Sequence, residues 1–253
     1  MFWSAPSLPI EKNDQEWLEQ TLLWMLDEFG KDYFLNKPTI LPRHSFFPDK
    51  YRGTEECVRT LTERICQYMD VDFRSLHVEL FEAENCAAPE DLAAGESQFS
   101  GAAGLFHQSA SRKKMAIQIS YGCLQNHVKL VATIAHELGH VRLLGERRVA
   151  REHPDHEYIT DLVTVFLGMG IFTANAAFQF HQWQETSRQG WSVARAGYMS
   201  EAMFGYSLAA YCFMRGEAKP RWKEELAMNV QHYFKKSLAY LNGGGSTVLT
   251  KLR

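Results

Sequence analysis

The chain has 253 residues, 45% of them hydrophobic and 23% charged, with a formal net charge of −3. That balance suits one soluble globular domain with two lobes and a sizeable buried core. It excludes an electrostatic case for nucleic acid, because Lys113-Lys114 and Arg147-Arg148 are short basic runs that read as solvated faces.

The opening MFWSAPSLPIEKND has no basic segment followed by an apolar stretch, so no secretory signal is expected. Asp14 is placed to cap a first helix, in which Leu18, Leu22, Met25, Leu26 and Phe29 recur with helical period before Gly30 ends it. The three prolines of NKPTILPRHSFFPDKYRG predict an ordered loop. A second helix is expected from Thr54, burying Val58, Leu61, Ile65 and Met69. Alternation in LHVELFE and KKMAIQISY marks two strands, and GLFHQ reads as a further short one. ENCAAPEDLAAGESQ between them reads as a loop.

From Asn126 onward the pattern is helical, with helices expected over 126–144, 155–175, 200–215 and 221–241. The run LVTVFLGMGIFTANAAF from Leu162 approaches membrane length. It shares a helical pattern with Glu157 and Asp161, however, and reads as a buried core helix. NGGGST then predicts a flexible tail over 243–253. Five scattered cysteines, Cys57, Cys66, Cys86, Cys123 and Cys212, form no CxxC and read as reduced thiols of a cytoplasmic protein. The fold expected is α+β: a small mixed sheet with helices over 1–125, then a helical lobe over 126–242, the two lobes forming one domain.

The segment ATIAHELGHVRLLGE carries the chemistry. His136 and His140 lie four apart and so share one helical face, where both imidazoles can approach a single ion. Glu137 lies about 100° round the helix from His136 and is free to act as a base on water. Leu130, Val131, Ile134, Leu138 and Val141 make the helix apolar around these groups, and such burial requires partners or an ion. Gly139 is a poor helix former unless something approaches closely there. Zinc needs a third ligand. In EHPDHEYITDL, Pro154 and Asp155 favour a helix start, Glu157 is the favoured ligand, and His153 and His156 are rivals. Asp161, four residues beyond Glu157, is placed to accept from the outer ring nitrogen of His136.

These residues resemble the zincin metallopeptidases of the gluzincin type, in which HExxH and a downstream ExxxD bind zinc. The resemblance covers roughly residues 113 to 172. It implies a zincin-like fold, zinc ligands at His136, His140 and Glu157, a general base at Glu137 and support from Asp161. It also implies a strand before the active-site helix that receives substrate, a role open to KKMAIQIS or GLFHQ. Metzincins are disfavoured because Leu143 and Glu146 stand where their pattern needs glycine and histidine. Thermolysin-like enzymes carry asparagine where this chain has His156.

The function expected is zinc-dependent hydrolysis of a peptide or protein substrate, in the cytoplasm, with no membrane or nucleic-acid partner. A second donor for the tetrahedral oxyanion is sought among His181, Arg195, Tyr198 and Tyr206, with Tyr198 ahead. Glu201 is an alternative capping carboxylate, and Trp183, Trp191 and Trp222 read as packing aromatics. Two other readings stand beside this one: a metal-binding module that recognises a protein without cleaving it, and a zinc hydrolase of a non-peptide bond.

Overall fold

The computed structural model describes residues 6–82, 103–108, 115–177 and 198–252. These form an α+β chain, mostly helical, whose strands all fall in the first half. Helix α1 (Lys12–Phe29) turns Leu18, Leu22, Met25 and Leu26 into the core, the stripe that its sequence period marks. Its N-cap is Glu11, so Asp14 stands in the first turn, where its charge complements the positive end of the helix. Gly30, at φ 95°, separates α1 from the short α2 (Lys31–Asn36). Helix α3 (Glu55–Met69) begins at Thr54, whose hydroxyl accepts from the Cys57 N–H at 3.3 Å.

Strands β1 (Leu76–Phe81), β2 (Gly104–Gln108) and β3 (Met115–Ser120) form one mixed sheet in the order β1-β3-β2. β1 runs parallel to β3 and β2 antiparallel, with Val78, Ile117 and Phe106 in register across the sheet. All three are buried, so a one-residue slip would turn an apolar face to water.

Helix α4 (His127–His140) starts at Asn126, whose side chain accepts from the Lys129 N–H at 3.0 Å. It is buried on every side from Lys129 onward, as befits a helix between the sheet, α3 and α5. It does not run on to 144: a π-helical turn, Val141–Gly145, takes over.

The single helix expected over 155–175 is two. Helix α5 (His156–Phe166) stops before Gly168, and a further helical stretch, α6, occupies residues 170–177. The cause is a distant segment. Gly168 adopts φ 86°, and a Cβ there would stand 2.2 Å from the Pro38 carbonyl oxygen. The proline-bearing loop packs into this break and fastens it, the Ile40 N–H donating to Gly168 O at 2.9 Å. From Leu162 to Ala177 every residue but Asn175 is buried, and no described helix is long and apolar enough to cross a membrane.

Helix α7 (Glu201–Met214) is capped by Ser200 and packs on α8 (Met228–Asn242). The expected helix over 221–241 is therefore split, its first part being a 3-10 turn at Arg221–Glu225. Cys66, Cys123 and Cys212 are buried free thiols and Cys57 is half-buried; Cys86 lies outside the described residues.

The flexible tail expected over 243–253 is instead docked as far as it is described. Helix α9 (Thr247–Thr250) buries Leu249 completely, and the Ser246 hydroxyl donates to Glu19 at 2.8 Å. Glu19 explains this: it is a buried carboxylate that also accepts from Gln15 (2.9 Å) and Tyr206 (2.5 Å), and Ser246 completes its set of donors. Leu249→Ala should therefore cost about 2–5 kcal/mol in urea-induced unfolding, the range for emptying a buried leucine site. A change below about 0.5 kcal/mol, typical of exposed positions, would mean that the tail is not anchored.

Candidate metal centre

The centre is made where α4 and α5 cross. His136 and His140 project from one face of α4, and Glu157 from the first turn of α5. Gly139 permits the crossing: a Cβ there would lie 2.9 Å from Thr160 Cγ2 and 3.2 Å from Val163 Cγ1. The missing side chain is the space that α5 fills.

The three ligand atoms converge. Glu157 Oε2 lies 3.0 Å from His136 Nε2 and 3.4 Å from His140 Nε2, and all three atoms fall within 4.8 Å of one another. Ligands about 2.0–2.1 Å from a tetrahedral zinc would be separated by roughly 3.3–3.4 Å, and the two spacings from Glu157 to the imidazoles lie close to that edge. Among the described residues, this is the one group of three or more histidine, cysteine or acidic side chains placed to hold an ion together.

The outer ring nitrogens fix the tautomers. His136 Nδ1 stands 2.9 Å from Asp161 Oδ1, and the other Asp161 oxygen accepts from the Met199 N–H at 2.8 Å. The Thr160 hydroxyl gives its hydrogen to His156 O at 2.7 Å and is left to accept from His140 Nδ1 at 3.2 Å. Both imidazoles therefore carry hydrogen on Nδ1, which leaves Nε2 as the ring atom that faces Glu157 and would face an ion. His156 and His153 do not join this group. His156 Nε2 instead lies 3.1 Å from the other Glu157 oxygen, and its Nδ1 donates to His153 O at 2.9 Å.

Electrostatics follow from depth. His136 and Glu137 are each 4% exposed, His140 7% and Asp161 3%. Burial would lower the His136 pKa, but the Asp161 and Glu157 carboxylates raise it well above the usual value. His140 is lowered by burial, with Glu157 opposing. Burial would raise Glu157, yet His140, His136 and His156 hold it well below the ordinary carboxylate range. Glu137 lacks that company, and burial pushes it up to about 8.

Glu137 lies against β2, where a Cβ at Gly104 would stand 2.7 Å from its Oε1 and 2.7 Å from Thr133 Cγ2. Gly104 and Thr160 are the contributors that sequence reasoning missed, since nothing in their local pattern names the partner across the fold. Tyr198 does reach the centre, its ring 5.1 Å from that of His136, and burial together with Glu157, Glu137 and Asp161 keeps its phenol protonated. Tyr206 does not, being tied to Glu19. Glu201 sits in the first turn of α7, where Ser200 rather than Glu201 supplies the cap. Trp222 is buried against Phe234. His181, Arg195, Trp183 and Trp191 lie outside the described residues, as does the segment 85–100.

No protein-family model, curated protein or solved structure matches this chain. The geometry of the site fits a divalent ion: two imidazole nitrogens and one carboxylate oxygen, each oriented from behind. Thr160→Val and Asp161→Asn should each lower zinc affinity about 10–100-fold, the usual cost of losing an orienting partner. Competition against a chromophoric chelator reads this directly, and wild-type affinity in both variants would show that the hydrogen bonds do not orient the ligands.

Proposed function

We propose that this chain is a zinc-dependent metallopeptidase with the gluzincin ligand pattern. The observation that carries this reading is the meeting of His136, His140 and Glu157 beside a fourth group, Glu137, that stays out of the cluster. Nitrogen and oxygen donors of this kind suit zinc, and three protein ligands leave one position for chemistry. When bound there, zinc supplies Lewis acidity, which acidifies water and polarises a carbonyl oxygen.

The remaining work belongs to the protein. Asp161 and Thr160 hold the imidazoles in the required tautomers. In its ionised form Glu137 takes the proton of the attacking water and passes it to the leaving amine, which a group already committed as a ligand could not do. Gly104 lets the β2 backbone lie close to Glu137 and so defines where that carboxylate rests. Tyr198, a neutral phenol beside His136, is the donor assigned to the developing oxyanion. β2 is an outer strand of the described sheet and lies along α4, a position suited to an extended substrate.

One observation favours a second reading, hydrolysis of a small non-peptide substrate. The histidine ligands are almost wholly buried, and Glu157, with its side chain 26% exposed, is the ligand nearest to solvent. Peptide and small ester or amide libraries presented to the zinc-loaded protein separate the two readings. Glu137→Gln should keep the ion and lose about 10²–10⁴-fold in rate, the usual share of a general base. His136→Ala should lose the ion. A zinc-loaded wild type that leaves every peptide intact while cleaving small esters would replace the first reading by the second.

Gly104→Ala is a finer test, because the added methyl group must displace Glu137 or Thr133. Zinc affinity should stay at the wild-type level while turnover falls about 10²-fold, as expected for a base moved by an ångström. Unchanged turnover would mean that the base is not positioned through this contact.

A further inference from the structure

The loop of residues 37–54 takes no part in the metal centre, yet it is ordered and forms one wall of a cavity of about 820 Å³. The first two turns of α3 and of α4, with Phe172, supply the rest of the lining. The volume falls within the roughly 300–1,000 Å³ of small-ligand sites. It is a separate place. Val131, on its floor, lies about 140° round α4 from His136 and about 180° from His140, given about 100° per residue.

The floor is apolar, made by Phe47, Leu61, Val128, Val131 and Phe172, and Tyr51 flanks it. The rim carries the charges. Arg43 is committed to Glu225 through hydrogen bonds of 3.0 and 2.7 Å. Asp49 is held by Arg64 at 2.5 Å, which leaves Glu56 as the rim carboxylate without such a partner. Against it stand Lys50 and Arg52, both exposed, neither of which makes an ion pair or a side-chain hydrogen bond among the described residues. His44 and His127 line the same opening. Apolar walls under a rim on which the two unpaired cations, Lys50 and Arg52, outweigh the one unpaired carboxylate, Glu56, define an amphiphilic site that prefers negative charge.

We propose that this cavity binds a small amphiphilic anion, its hydrocarbon or aromatic body against Phe47, Val128 and Phe172 and its acidic head between Lys50 and Arg52. The body supplies most of the affinity, through removal of apolar surface from water. The head supplies selectivity, because exposed ion pairs are individually weak but decide between anion, neutral and cation. Cys57, on the cavity wall in the first turn of α3, gives a built-in reporter, since Cys66, Cys123 and Cys212 are buried. The inference does not depend on the hydrolytic reading, as the two sites share only α4.

Calorimetric titration of the zinc-loaded chain with decanoate, decyl phosphate, decanol and decyltrimethylammonium, all below micelle formation, tests it. One saturable site for at least one of the two anions is expected, with decanol roughly tenfold weaker and the cation not bound. Comparing decanoate with decyl phosphate tells which head the rim favours. The double charge reversal Lys50→Glu with Arg52→Glu, at exposed positions, should abolish the preference for anions, and Val128→Trp should abolish binding by filling the floor. Bound anion should slow iodoacetamide alkylation at Cys57 roughly threefold or more, read by peptide mass spectrometry. Absence of saturable anion binding, equal binding of decanol, or full Cys57 reactivity under saturating anion would each overturn the proposal.

Discussion

Everything at the candidate metal centre depends on how closely α5 can approach α4, and Gly139 sets that distance. With a Cβ at 139, Thr160 and Val163 would have to withdraw, and Glu157 with them, since it lies one turn earlier on the same helix. Gly139 stands between the two imidazoles in sequence and faces α5, so one position governs both helix packing and ligand convergence. The cost of a mid-helix glycine, about 1 kcal/mol relative to alanine, is offset by contacts that no larger residue would allow.

The same crossing solves an electrostatic problem. Glu137, Glu157, Asp161, His136 and His140 occupy one small region, and all but Glu157 are nearly inaccessible to water. Unpaired charges at that depth are costly. The structure meets the cost by alternation: Asp161 faces His136, Thr160 faces His140, and Glu157 lies between both imidazoles with His156 on its outer oxygen. Glu137 is left out of that alternation, packed against a strand backbone at Gly104. The proposed division between ligand and base rests on this asymmetry between two carboxylates, one surrounded by imidazoles and one not.

Much of this was legible in the sequence, and the parts that were not share a cause. The apolar stripe of α1, the helix starts at Thr54 and Asn126, the strand alternation and the HELGH face all rest on neighbours within a few residues, where period and chemistry suffice. Glu157 and Asp161 were legible because their spacing of four repeats the logic of the histidines. The break at Gly168 was hidden because its partner is Pro38, in a loop far earlier in the chain. The docked C-terminus was hidden for the same reason, since Ser246 finds Glu19 from 227 residues away. Tyr206 looked available for chemistry until that same buried carboxylate claimed its hydroxyl. Gly104 and Thr160 carry no local signature at all, because a glycine opening a strand and a threonine within a helix have many ordinary explanations.

Helix α4 ties these threads together, because its faces serve different ends. One face holds the imidazoles against α5, an adjoining one sets Glu137 against β2, and the far one floors the cavity at Val128 and Val131. A helix enclosed on all sides cannot shift one face without moving the others, since close-packed interiors transmit displacement rather than absorb it. The regular ladder ends directly after His140, where the π-helical turn Val141–Gly145 continues it. That rigidity suits a site whose ligands must keep spacings near those of a small ion.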